Sequence, residues 1–151
     1  MQRRSLLLGG LATGTLALAG CASGTRTPSS PNYAIAIADL RVARTILDRE
    51  SEYAVVRSQY RALEAIDRAV LELKNASIDS GQPIEAPPVL DPTLDYGGRL
   101  GRARELVLAA DHELSFREDV VEARPSRDAA RRFVADAHEA INRAIRERRG
   151  L

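Results

Sequence analysis

Cysteine, lysine and aromatic side chains are nearly missing from this chain. Cys21 is the single cysteine in 151 residues, so no disulfide within the chain can substitute for a hydrophobic core. Tryptophan is absent and aromatics make up 4% of the sequence, which leaves Ala, Leu, Ile and Val to fill the interior. Small aliphatic residues of that kind suit closely packed helices better than a sheet. Lys74 is the sole lysine among 22 basic residues, a bias that fits a GC-rich coding genome better than anion recognition. A run long enough to cross a bilayer is also missing. Leu6 to Leu18 is the longest apolar stretch, diluted by Gly9, Gly10, Thr13, Gly14 and Thr15, and a spanning helix needs roughly 20 apolar residues.

What is present at the start has a recognisable order. Arg3 and Arg4 give a cationic beginning, the weakly apolar run follows, and small residues lead into Leu18-Ala19-Gly20-Cys21. That is the layout of an export signal, predicting residues 1–20 as a signal peptide. The four-residue sequence resembles the lipobox of bacterial lipoproteins. The resemblance implies a diacylglyceryl group on the Cys21 thiol and cleavage that makes this cysteine the new N-terminus. The alternative is a free thiol in a core or at a membrane helix end, which the short, Gly-rich run disfavours. Arg3-Arg4-Ser5-Leu6-Leu7 also resembles a twin-arginine signal, the route for folded cargo, though two arginines serve equally in a general secretory start. Ala22 stands where an aspartate would act as an inner-membrane retention signal, which implies outer-membrane sorting, facing the periplasm. The expected partner is therefore a membrane, held through lipid on Cys21.

Charge argues against nucleic acid. With Arg3 and Arg4 removed, 20 basic residues face 21 acidic ones, a net charge of −1. A phosphate-binding protein should carry a basic excess.

Residues 21–32 read as the lipidated cysteine and a flexible tether, since Ala22 to Asn32 is small, polar and carries two prolines. Residues 33–151 read as an all-α, up-down four-helix bundle made of two helical hairpins. Asn32 is a good N-cap for a first helix with Ala36, Leu40, Ala43 and Leu47 on one face, ending between Asp48 and Ser51. Val56, Tyr60, Leu63, Ile66, Val70 and Leu73 keep a helical period in the second, stopped by Gly81. Four prolines between Gly81 and Pro92 exclude helix and favour a stiff, extended connection over 81–92. Asp91-Pro92 fits a helix start, but Gly97-Gly98 weakens it, so the third helix is expected to be regular from Arg99. Leu100, Ala103, Leu106, Val107, Ala110 and Leu114 form its stripe. Pro125, with Ser126 and Asp128, opens a fourth helix carrying Phe133, Ala137, Ile141, Ala144 and Ile145 inward, and Gly150 stops it. Glu64-Ala65-Ile66-Asp67-Arg68-Ala69-Val70 is echoed by Glu139-Ala140-Ile141-Asn142-Arg143-Ala144-Ile145, which admits either two related hairpins or coincidence.

Residues that carry chemistry are scarce. The histidines, in Asp111-His112-Glu113 and His138-Glu139, fall about 9 Å apart along an antiparallel hairpin, too far to share a metal. Neither has the Glu-x-x-His spacing of carboxylate-bridged metal bundles, so no metal or other cofactor is expected. No nucleophile–base pair or phosphate loop stands out, and the expectation is a protein without enzymatic activity. Gly97-Gly98-Arg99-Leu100-Gly101 admits an anion cradle but reads more simply as a flexible helix start. Tyr33, Tyr53, Tyr60 and Tyr96 are candidates for a surface, with Tyr60 better placed as core. The least generic part is the proline-rich connection. Asp79, Gly81, Pro87, Pro88, Asp91 and Arg99 are the candidates there for holding an envelope protein partner, against the plainer role of bracing the hairpins.

From Tyr33 to Arg148 the chain resembles a family of small, uncharacterised, mainly proteobacterial helical proteins, most of them exported. Asp39-Leu40-Arg41-Val42-Ala43-Arg44, Ala65 to Ala69, Glu72 to Gly81, Pro87-Pro88-Val89 and Gly98-Arg99-Leu100 with Ala103 carry the resemblance. It implies a four-helix fold and no established activity. Relatives often carry histidines at places that are Ala86, Gly101 and Ala140 here, so a metal or haem site built on them would be lost in this chain. Two functions follow as expectations: a lipid-anchored envelope protein with a structural or protein-interaction role, or a periplasmic bundle that binds a small ligand or metal.

Overall fold

A computed structural model describes residues 30–49, 56–85 and 96–150, and all regular structure among them is helical. The helices are α1 (Tyr33–Leu47), α2 (Val56–Ser80), α3 (Tyr96–Ser115) and α4 (Arg124–Arg149). The signal and lipobox positions Arg3, Arg4, Leu18, Ala19, Gly20 and Cys21 lie outside the described residues, as do Pro87, Pro88 and Asp91.

Each helix boundary has a local cause. The Asn32 side chain accepts a hydrogen bond from the Ile35 amide at 3.1 Å, satisfying a donor that the first turn of α1 leaves open. At the other end, the side chain of the buried Gln59 donates to the carbonyls of Leu47 and Arg49, so α1 stops without Gly or Pro. Gly81 closes α2 at φ 66°, and Gln82 N–H reaches Ser77 O at 2.9 Å. Without a Cβ, glycine adopts that left-handed geometry freely. Pro125 sits in the first turn of α4, where its missing N–H costs nothing. The α3 helix begins at Tyr96, three residues before the expected Arg99; Gly97 and Gly98 are accommodated inside it.

The helices form a ring in the order α1, α2, α4, α3, with α1 packed on α2 and α3, and α4 on α2 and α3. Every neighbouring pair is antiparallel. Gln59 near the start of α2 meets the end of α1, and Ser58 of α2 meets Glu147 near the end of α4. Arg131 of α4 pairs with Asp111 of α3, and Tyr33 at the start of α1 meets Glu118 just beyond α3. Consequently α2 and α3 are diagonal and run the same way. The end of α2 and the start of α3 lie at opposite ends of the bundle, about 36 Å apart along the axis, since α2 has 25 residues at 1.5 Å each.

Because α2 and α4 are antiparallel neighbours, an approximate local two-fold axis between them exchanges these two helices. Gln59, Ala62, Ile66 and Ala69 of α2 correspond to Val134, Ala137, Ile141 and Ala144 of α4, all buried. On the other side, Ala36, Leu40, Ala43 and Leu47 of α1 and Ala103, Val107, Ala110 and Leu114 of α3 are likewise buried. Alanine at every second or third contact lets the backbones approach closely, and the large aliphatics fill the layers between. The sequence echo of α2 in α4 thus occupies equivalent places in the fold.

The buried face of α2 differs from the stripe expected for it. Ala62, Ala65, Ile66, Ala69, Leu73 and Ala76 point inward, whereas Tyr60 is 68% exposed and Leu71 59% exposed. Val56, Leu63 and Val70 are half-buried at the edge of that face. Two neighbours, α1 and α4, compete for α2, and the alanine edge permits the tighter seam with α4. In α4 likewise, Val134 and Ala130 join the core, while Phe133 and Ile145 pack on its margin.

Candidate functional site

The seam between α2 and α4 opens outward as a groove of about 270 Å³. Its floor is Ala65 and Ala140, and its walls include Glu64 and Arg68 from α2 and Glu139 and Arg143 from α4. These six residues are the echo positions themselves, matched pairwise across the two-fold axis. Antiparallel packing with the axis near Glu64 and Glu139 brings the two copies of the motif face to face.

Within each copy the charges are neutralised locally. Arg68 Nη2 lies 2.6 Å from Glu64 Oε1, and Arg143 Nη2 lies 3.2 Å from Glu139 Oε1. The Arg68 guanidinium also stands 5.8 Å from the centre of the Phe133 ring, close enough for a cation–π attraction.

The remaining lining residues break the symmetry. Ser58 corresponds to Phe133, and Arg61 corresponds to Asp136. Arg61 and Asp136 are both exposed, and neither has an ion-pair partner among the described residues. Because the helices run oppositely, these two lie towards opposite ends of the groove. Ser58 is level with Glu147 and Arg68 with Phe133, so Arg61 is level with Asn142 and stands roughly 9 Å along the axis from Asp136. One end therefore gathers Arg61 and Arg143, and the other holds Asp136 beside Arg68, whose charge Glu64 takes up at 2.6 Å.

A second polar site sits inside the bundle end that holds the start of α1. Tyr33 and Glu118 are both buried, and the Tyr33 hydroxyl donates to Glu118 Oε2. Glu118 Oε1 accepts from Val120 N–H at 2.8 Å, and the Glu118 carbonyl accepts from Arg124 Nε at 2.9 Å. Burial, then the hydrogen bond to the Glu118 carboxylate and its charge, push the Tyr33 phenol well above its ordinary range, and Arg127 opposes them in part. The carboxylate ties the α3–α4 turn to α1, an anchoring role. The sequence places Tyr33 among surface candidates and does not single out Glu118. A contact across 85 positions leaves no periodic signal to find it by.

Along the outer edge of α1 and α2, Tyr60 and Leu63 stand between two open, shallow depressions of about 350 and 490 Å³. Arg44, in the second of these, bridges to Asp67 at 2.6 Å. Tyr60 and Asp67 are exposed on this face, and Leu63 and Arg44 are half-buried.

The residues singled out around the proline-rich connection do not come together. Asp79 and Gly81 are exposed at the end of α2, while Arg99 is half-buried in the first turn of α3 at the opposite end of the bundle. The histidines are also apart: exposed His112 packs edge-on to Phe116 with ring centres 5.3 Å apart, and His138 Nε2 lies 3.1 Å from Asn142 Nδ2. Among the described residues, no three of His, Cys, Asp and Glu gather as metal ligands would. No described helix is long and apolar enough to cross a membrane.

No family model, no curated protein and no solved structure matches the chain. Function therefore rests on the motif at the start of the chain and on the groove.

Proposed function

We propose that the chain is a lipid-anchored protein of the bacterial envelope, on the outer membrane facing the periplasm, and that it acts by contact and not by catalysis. The order of the first 21 residues carries this reading: cationic start, weakly apolar run, then Leu18-Ala19-Gly20-Cys21. A single acyl chain binds a bilayer marginally and reversibly, whereas two or more hold it stably. Eleven residues separate Cys21 from Tyr33, a reach of about 36–40 Å when extended. The domain is thereby held beside the bilayer with its long sides open to the periplasm.

Action by contact is favoured by the interior. The buried polar side chains among the described residues are Ser58, Gln59, Ser77 and Glu118, and they sit towards the helix ends. The middle of the bundle is a close-packed seam of Ala, Leu, Ile and Val, so binding surfaces lie outside. A second reading, a periplasmic bundle that binds a small ligand, is favoured by the groove between α2 and α4.

The test is growth with labelled palmitate and separation of membranes. The native chain incorporates label and sediments with the outer membrane, and Cys21→Ser does neither. Equal, negligible labelling of both forms with both in the cytosol contradicts the proposal. Crosslinking of the native lipoprotein in intact envelopes then identifies what it touches.

A further inference from the structure

We propose that the α2–α4 groove binds a short peptide with both termini free, its carboxylate at Arg61 and its ammonium at Asp136. The proposal deepens the reading of a contact-making protein and rests on it, but needs only the folded bundle and not the lipid.

Three observations define the ligand. Arg61 and Asp136 are related by the two-fold axis yet opposite in charge, so a symmetric dianion or dication meets repulsion at one end, and a dipolar ligand is matched at both. Second, the other charged walls are already neutralised within their own helices, at 2.6 Å for Arg68–Glu64 and 3.2 Å for Arg143–Glu139. Arg61 and Asp136 are left as the pair able to take a partner, with Arg143 beside the carboxylate end and Arg68, held by Glu64, beside the ammonium end. Third, the backbone positions of Arg61 and Asp136 lie roughly 9 Å apart along the axis, on helices whose axes are roughly 8–10 Å apart. A free amino acid, with charges about 3 Å apart, is too short to bridge them; three extended residues, at about 3.3–3.6 Å each, fit.

Size and floor agree with this. About 270 Å³ is near the lower bound for small-ligand sites, which begin around 300 Å³, and accommodates a tripeptide of small residues. Ala65 and Ala140 leave the floor bare, so a peptide backbone can lie close to both helices. The groove is open, so both ion pairs remain solvated and the affinity is low, with Kd on the order of 1 mM.

The test is an NMR titration of the whole ¹⁵N-labelled chain carrying Cys21→Ser, in detergent, with trialanine as the probe. Amide signals of residues lining the groove are expected to shift in a saturable way. Acetylating the peptide N-terminus, or amidating its C-terminus, weakens binding about 2–5-fold, the range for exposed ion pairs. Arg61→Asp and Asp136→Arg each weaken it similarly, and the double substitution restores it, because the axis exchanges the two ends. Both positions are exposed, and unchanged circular dichroism checks the fold. Capped peptides that bind as tightly as the free one overturn the proposal. So does a double variant no better than the singles, or the lack of any shift at about 20 mM peptide. None of these outcomes depends on whether Cys21 carries lipid.

Discussion

The hydroxyl of Tyr33, in the first turn of α1, donates to the carboxylate of Glu118 in the turn between α3 and α4, and both side chains are buried. One hydrogen bond thus locks the start of the first hairpin to the turn of the second. Tyr33→Phe leaves a buried carboxylate oxygen without its donor, at a cost of about 1–3 kcal/mol. Urea unfolding at pH 7 measures it. The pH dependence has a definite sign. The folded-state pKa of Tyr33 is raised, so its contribution is complete below the ordinary phenol value of about 10 and is lost as pH rises above it. Above that value the wild type loses stability with a steeper slope than Tyr33→Phe. Parallel slopes contradict this.

Asp39 offers the converse case. It is half-buried on α1, where burial raises its carboxyl pKa, Arg102 opposes the shift and Glu113 adds to it. A raised carboxyl favours the folded state at low pH and costs stability once ionised, so the charge is a burden at neutral pH. Asp39→Asn should raise the melting temperature at pH 7. That gain disappears below about pH 4, where the aspartate is protonated as well. A variant less stable than wild type at pH 7 refutes the assignment.

The alanine seam and the displaced α2 stripe predict a contrast. Ala137→Leu forces extra methylenes into a fully buried position and costs about 1–3 kcal/mol. Tyr60→Ser changes stability by less than about 0.5 kcal/mol, because the ring is 68% exposed. The hydrophobic stripe read from the sequence places Tyr60 inward as well as Ala137 and implies a large loss for both, so chemical denaturation of Tyr60→Ser beside Ala137→Leu decides which face of α2 is buried.

The diagonal placement of α2 and α3 sets a minimum length on what joins them. From Ser80 to Tyr96 the chain has sixteen steps, a maximum of about 53–58 Å, against about 36 Å along the axis alone. Removing five residues between positions 86 and 95 leaves about 36–40 Å, with no slack to cross from α2 to α3. The shortened chain should exchange hairpins with a second copy and elute as a dimer. A stable, shortened monomer contradicts the topology.

Much of the fold was legible because helices announce themselves locally. Asn32, Gly81 and Pro125 mark boundaries through backbone geometry, and the stripe of α3 matched the buried face residue for residue. Tyr60 misled because periodicity reports which face is apolar, whereas packing selects the face that lets helices come closest. Alanines at 62, 65, 69 and 76 weigh little on a hydrophobic scale but decide that approach. The groove was visible only in part. Glu64 to Val70 and Glu139 to Ile145 showed as an echo, yet nothing local says that the copies face each other. That depends on the order of helices round the ring. The charge reversal of Arg61 and Asp136 acquires meaning only once they are seen as equivalents.

The groove exists only if α2 lies beside α4, which in turn requires α3 to start at the far end from where α2 stops. Spin labels at Asp79→Cys and Gly98→Cys, in a chain with Cys21→Ser, test this directly by pulsed electron resonance. A diagonal, parallel α2 and α3 predict a separation of roughly 30–35 Å. A distance under about 20 Å, as for two helices joined at one end, contradicts the crossed arrangement and removes the peptide site with it.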